Sequence, residues 1–210
     1  MTDRHPLTQA IIDGDKVAAV ELTQGCLDDG EGADFIIEQR LVPGMAVIGE
    51  QFQCDEIFVP EMLVAANAMK ASMELLEPLV AESCVKAPYT AVIGTVHGDL
   101  HDIGKNLVGM MWRGANIEVI DLGVNVSPSD FAAAAREHRP DLVGMSALLT
   151  TTMPHMREAV AAVKATGVDT KIVIGGAPVS EEFAEEVAAD GFAADAGAAA
   201  DVARELVGAA

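Results

Sequence analysis

From the start of the chain to about residue 86, apolar residues recur three and four positions apart, the spacing that turns one face of a helix toward a core. "DKVAAVELTQGCLDDG", "GADFIIEQRLVPGMAVIGEQF" and "VPEMLVAANAMKASMELLEPLVAE" all show it, and Pro60 stands where a helix favours proline, in its first turn. No strand-like alternation interrupts them, so the spacing predicts a small helical bundle. The polar, proline-containing stretch "ESCVKAPYT" then marks a linker over about residues 82–90.

Beyond it the rhythm changes. "TAVIGTV", "IEVIDLG", "DLVGMSA" and "KIVIGG" are short β-branched runs, separated by "DIGKNLVGMMWRGA", "SPSDFAAAAREHRP" and "TMPHMREAVAAVKATG", which carry a helical pattern. Strand and helix alternating at this spacing predict a parallel sheet covered on both faces. "EEFAEEVAAD", a short apolar stretch and "ADVARELVGA" complete about five strand–helix units. The expected class is α/β, with a helical domain at 1–86 and a doubly wound parallel sheet at 87–210. No internal repeat stands out.

The unusual residues fall at the carboxyl ends of the expected strands: "HGDLHDIG" after the first, "SALLT" after the third and "GGAP" after the fourth. In open parallel sheets the ligand crevice lies outside those ends. Three decorated ends on one edge predict a single site.

Composition narrows the partners. The formal charge is 13 minus 33, or −20, and so acidic a surface repels phosphate backbones, making nucleic acid and anionic membranes poor partners. The chain has no run of 18 apolar residues and no charged-then-apolar leader, which predicts a soluble protein without a signal peptide. Cys26, Cys54 and Cys84 are far apart and form no CxxC, a usage that fits a reducing cytoplasm.

Several chemistries fail on spacing. A phosphate loop needs four residues between its glycine and Gly-Lys-Ser/Thr; here five separate Gly98 from Gly104, and Asn106 follows Lys105. No GxGxxG follows any strand. His97 and His101 are four apart, but Gly98 and the strand end place them on a loop, without the glutamate of a zinc helix. Ser146 lacks a nucleophile elbow, so hydrogen bonding is its expected task. A strand-to-helix turn accounts for Gly98, Asp102 and Gly104 but gives no reason for Asp99 and His101. A solitary imidazole suits a metal that brings most of its own ligands, as the metal of a tetrapyrrole-like macrocycle does. Asp99 can then accept the second N–H of that imidazole and fix its tautomer.

Asp99-x-His101-x-x-Gly104, followed by Ser146-x-Leu148 and then Gly175-Gly176, resembles the three-part signature of cobalamin-binding domains. "LVPGMAVIGEQF" and "FVPEMLVAANAMKASMELLEP" resemble the helical cap that precedes that domain in methionine synthase. "SALLTTTMPHM" is similar to the small corrinoid proteins of methylamine, methanol and methoxyl methyltransferase systems. The likeness covers roughly residues 7–207 and implies a helical cap on a flavodoxin-like (Rossmann-like) domain. It implies His101 as the lower cobalt ligand, with Asp99 and Ser146 as the hydrogen-bonded relay behind it. It places Gly98, Leu100, Asp102 and Gly104 near the corrin or its tail, and Leu148, Thr150, Gly175, Gly176 and Ala196 around the nucleotide tail. Met62, Met69 and Met73 are either core or cover for the upper face. The sequence departs from the pattern at Gly197, where relatives often carry an aromatic residue.

The resemblance further implies a methyl carrier that works between a substrate-specific methyltransferase and an acceptor methyltransferase using a thiol or tetrahydrofolate. It also implies a reductive activase and no turnover by this chain alone. A cap that shields the cofactor has to move during transfer, which places a hinge near residues 82–90. A cobalamin-dependent sensor is the alternative, and an adenosylcobalamin mutase subunit a third option.

Overall fold

The computed structural model describes residues 4–83 and 87–208. The chain divides into two compact units, one formed by Met1–Pro88 with Gly114–Asn116 and the other by Tyr89–Arg113 with Ile117–Ala210. The linker expected over 82–90 falls partly on residues 84–86, outside the described residues.

The first unit is helical throughout: α1 (Pro6–Ile12), α2 (Lys16–Asp28), α3 (Ala33–Ile36), α4 (Val42–Gln53) and α5 (Val59–Ser83). α1, seven residues long, escaped the periodicity. It is started by Pro6 and by His5, whose Nδ1 accepts the Leu7 N–H. The single helix suggested by "GADFIIEQRLVPGMAVIGEQF" is broken by a π-helical turn over Ile37–Leu41. Pro43 lacks an N–H and crowds the preceding turn, and widening that turn relieves the clash. Leu7, Ile11, Ile36, Leu41, Met45, Ile48, Met62 and Met69 are buried. Met62 and Met69 therefore serve as core.

His5, Cys26 and Glu31 place donor atoms within 4.8 Å of one another, the one such metal-type trio among the described residues. A cation already answers it. Arg40 on the π turn donates to Glu31 at 2.9 and 3.4 Å and lies over the Phe35 ring, while burial and the neighbouring Glu31 push the Cys26 thiol up.

The second unit is a five-stranded, wholly parallel sheet in the order β2-β1-β3-β4-β5. The strands are β1 (Tyr89–Thr95), β2 (Ile117–Asp121), β3 (Leu142–Ser146), β4 (Lys171–Gly175) and β5 (Gly191–Ala193). Helices α6 (Ile103–Gly114), α7 (Pro128–His138), α8 (Met153–Lys164), α9 (Glu181–Glu186) and α10 (Ala196–Val207) connect and close them. Strand order reverses between β1 and β3, which opens a crevice beyond their carboxyl ends.

Side-chain alternation assigns the faces. Val143, Met145, Ile172 and Ile174 pack with Phe131 and Ala135 of α7 and with Met156, Val160 and Val163 of α8. Gly144 turns to the other face, where the fully buried Trp112 of α6 donates its indole N–H to Ala199 O of α10 at 2.8 Å. A Cβ at Gly144 would lie 2.7 Å from that indole and 3.1 Å from Ile93, so the small residue sets how closely α6 approaches the sheet. Among the described residues no helix is long and apolar enough to cross a membrane.

Gly144→Val should lower the unfolding free energy by about 1–3 kcal/mol through overpacking. Urea titration followed by far-ultraviolet circular dichroism reads this; an unchanged midpoint would show that α6 has slack against β3.

Candidate functional site

β1 runs on past Thr95 into a tight turn, with Asp99 N–H donating to Val96 O at 3.1 Å. Gly98, the third residue of that turn, has φ +81°, the left-handed value that a type II turn requires there. The turn carries Asp99 under the strand end while Leu100 and His101 stay at the surface.

Asp99 is 0% exposed. Its Oδ1 accepts the His101 backbone N–H at 3.0 Å and faces the ring Nδ1 at 2.7 Å. Its Oδ2 accepts Leu148 N–H at 2.7 Å, Leu149 N–H at 3.3 Å and the Thr152 hydroxyl at 3.1 Å. Burial pushes this carboxyl up, but the Leu148 and His101 N–H groups, the His101 ring and Thr152 outweigh it and bring it down to about 2. An ionised Asp99 accepts a hydrogen bond from Nδ1–H, which leaves the Nε2 lone pair of His101 available to a metal. The His101 side chain is 51% exposed, and Thr95 Oγ1 donates to its carbonyl at 2.9 Å.

The hydroxyl that Asp99 accepts from is that of Thr152, and among the described residues the expected Ser146 is not one of its hydrogen-bond partners. Register explains why. Ser146 pairs with Thr95 inside the sheet, whereas Asp99 lies beyond the strand end. Beyond the end of β3, the 3-10 turn Thr150–Thr152 brings the Thr152 hydroxyl back to the carboxylate. Thr152 follows "SALLTT" without any periodic signal of its own.

The other expected residues gather on the same edge. Gly98, Leu100, Asp102, Gly104, Leu148 and Thr150 are exposed there, and Ser146, Gly175 and Gly176 are half-buried at the ends of β3 and β4. Ala196 is buried at the start of α10. Gly176 has φ +122°, and a Cβ on it would lie 1.9 Å from Ala147 O. Gly176 thus first serves the protein's own backbone, letting the β4 end press on the loop that feeds Leu148 to Asp99, while Gly175 lies against Ala193 O of β5.

Two further ties were missed in the sequence. Lys105, only 2% exposed, donates to Asp121 Oδ2 at 2.5 Å and to Asn106 Oδ1 at 2.7 Å, joining α6 to the end of β2. Asn125 contacts the Gly98–Asp99 turn. His97, exposed, sits edge-on to the ring of His155 at 5.1 Å between centroids.

Leu100, Ile103, Leu148 and Leu149 are large apolar residues exposed on this edge around His101. One free imidazole nitrogen within an apolar rim, backed by a buried carboxylate, fits a flat metal macrocycle that supplies the remaining ligands itself.

Two family models, each described as a B12 binding domain, match residues 89–207 and 4–77. The chain is 38% identical over 207 residues to a corrinoid protein of Desulfitobacterium hafniense, covering 96% of each. It is 39% identical over 194 residues to a dimethylamine corrinoid protein of Methanosarcina acetivorans, covering 91% of this chain and 89% of the relative. Its fold is similar to a chain of the methanol:cobalamin methyltransferase complex of Methanosarcina barkeri, with a TM-score of 0.85 and 28% identity over 98% of this chain and 79% of that one.

Because the folded Asp99 titrates near 2 rather than at its ordinary 3.8, its ionised form adds about 2 kcal/mol of stability. That increment is complete above about pH 4 and is lost as pH falls toward 2. In the cofactor-free protein, Asp99→Asn should lose stability at pH 7 and show a shallower acid dependence between about pH 4 and 2. Parallel pH–stability curves for the two proteins would remove Asp99 as the source.

Proposed function

Because this chain belongs to the B12-binding family, we propose that it is a corrinoid protein that carries a methyl group between two partner methyltransferases. The observation that carries this reading is the solvent-facing imidazole of His101, fixed through Nδ1 by a fully buried carboxylate and surrounded by exposed leucine and isoleucine. When bound, a cobalamin supplies a cobalt centre that accepts a methyl group and releases it again. The chain's own residues bind and orient. His101 offers Nε2 to the metal, Asp99 holds the ring in one tautomer, and Thr152 with the Leu148 and Leu149 N–H groups keeps Asp99 ionised.

The ionised Asp99 accepts from Nδ1–H and so raises the basicity of Nε2, the nitrogen that would hold the metal. Leu100, Ile103, Leu148 and Leu149 give the flat ring an apolar surface to cover, which removes them from water. Leu148, Thr150, Gly175, Gly176 and Ala196, at and beyond the ends of β3, β4 and β5, would hold the nucleotide tail.

The methyl donor is activated by a substrate-specific methyltransferase, and the acceptor, a thiol or tetrahydrofolate, is held by a second one. A reductive activase is the third partner. The methanol:cobalamin methyltransferase complex, whose chain has this fold, and the dimethylamine corrinoid relative support the pairing with a methyltransferase. We place this chemistry in the cytoplasm, in keeping with the unpaired cysteines Cys26 and Cys54.

Reconstituted protein should show nitrogen coupling from one imidazole in the electron paramagnetic resonance spectrum of its Co(II) form. His101→Ala should lose that coupling and keep its fold; persistence of the coupling in the variant would remove His101 as the ligand. Reduced holoprotein mixed with methylamines or methanol should take up a methyl group only when the cognate methyltransferase is present, as read from the cofactor's visible spectrum. Rapid uptake by this chain alone would make it an enzyme in its own right.

A further inference from the structure

The segment after β2 runs beside the turn that carries Asp99 and His101. Leu122 N–H donates to Ile93 O, Thr95 N–H to Gly123 O and Val126 N–H to Thr95 O, at 2.8, 3.0 and 2.9 Å. These bonds extend the β1–β2 pairing past the end of β2, and the Val96–Val126 bridge carries it past the end of β1 as well. The segment is anchored at its base, where Asp121 accepts Gly123 N–H at 2.8 Å on one oxygen and Lys105 on the other.

Asn125 is where this segment grips the turn, and it does so twice. Its side-chain Oδ1 accepts Gly98 N–H at 2.8 Å, and its backbone N–H donates to Asp99 O at 3.0 Å. The Gly98 N–H takes no part in closing the Val96–Asp99 turn, so the amide oxygen uses a donor that is otherwise open to water. Asn125 has φ +56°, a left-handed conformation that asparagine tolerates better than most residues. Oxygen and backbone geometry are therefore met by one residue type.

We propose that Asn125 is a positioning residue for His101. It locks the Gly98 and Asp99 peptides, and the Asp99 carboxylate in turn fixes both the backbone N–H and the ring of His101. The inference rests on the reading of His101 as axial ligand. Its reach is geometric more than energetic. Gly98 is exposed, so water replaces the lost bond at little cost to stability, while the turn gains freedom to tilt and the imidazole with it. Axial ligation demands one height and one angle, and is the property most sensitive to that tilt.

The test compares Asn125→Ala, Asn125→Gly and Asn125→Asp with the wild type, first without cofactor and then loaded with cobalamin. The glycine variant keeps the left-handed backbone without the oxygen, and the aspartate variant keeps an acceptor. In the free protein, amide hydrogen exchange at Gly98 should be about tenfold faster in the alanine and glycine variants, with thermal midpoints within about 4 °C of wild type. Loaded with cobalamin, those two should bind about 3- to 10-fold more weakly, below the ~10- to 100-fold scale of a direct ligand partner. Part of their Co(II) spectrum should lack imidazole nitrogen coupling. Asn125→Asp should stay within about twofold of wild type in affinity, well inside that scale.

Wild-type affinity and full coupling in Asn125→Ala would overturn the inference. So would a loss in the glycine variant that simply follows a loss of global stability. If the wild type itself shows no imidazole coupling, the axial reading fails and this inference with it. Because exchange is measured without cofactor, failure of the clamp is seen separately from failure of the ligand.

Discussion

One buried negative charge organises the edge that carries His101. Removing a carboxylate from water costs several kcal/mol unless it is surrounded by donors, and Asp99 is 0% exposed. The protein answers with donors from two places: the His101 N–H and ring beyond β1, and the Leu148 and Leu149 N–H groups and Thr152 hydroxyl beyond β3. Neither loop alone satisfies both oxygens. The strands on either side of the order reversal are thus tied together at their open ends, where parallel sheets otherwise part into a crevice.

That tie explains why the neighbouring backbone is so constrained. Gly98 must turn left-handed to put Asp99 beneath the strand. Gly176 must let the β4 end come within reach of Ala147, which backs the loop delivering Leu148. The Asp99 carboxylate holds both the backbone N–H and the ring of His101, so under the proposed function the cofactor would find the imidazole tautomer already set. Binding then spends less of its free energy on ordering the site.

Much of this was legible in the sequence. Alternating β-branched runs and helical patterns located β1 to β4 within a few residues, because a parallel sheet buried on both faces leaves a continuous apolar signal, whereas the three-residue, half-buried β5 left only a short apolar stretch. The Asp99, His101 and Gly104 spacing marked the edge where Asp99 joins His101 to the loop after β3. Thr152, Asn125 and Lys105 were not legible, since each acts through a contact between segments distant in the chain. Thr152 meets Asp99 across 53 positions, and no local rule distinguishes it from Thr150 or Thr151. Ser146 drew attention as part of a motif, yet its register with Thr95 keeps it within the sheet. In the helical unit, the π turn over Ile37–Leu41 was concealed for a related reason. The apolar spacing carries straight through it, and only Pro43 betrays the break.

Trp112 is the chain's one tryptophan, and it lies fully buried where α6 packs on Gly144, with its N–H held by Ala199. The intrinsic indole emission of the protein therefore arises from a single site, rooted in the core of the sheet. The helical unit, built from aliphatic and methionine side chains with a few phenylalanines, contributes no indole signal. A two-unit chain of this kind carries an optical separation between its parts: fluorescence follows the opening of the sheet, while circular dichroism at helical wavelengths weighs both. Disagreement between the two signals during unfolding would register independent melting of the units without any label being attached.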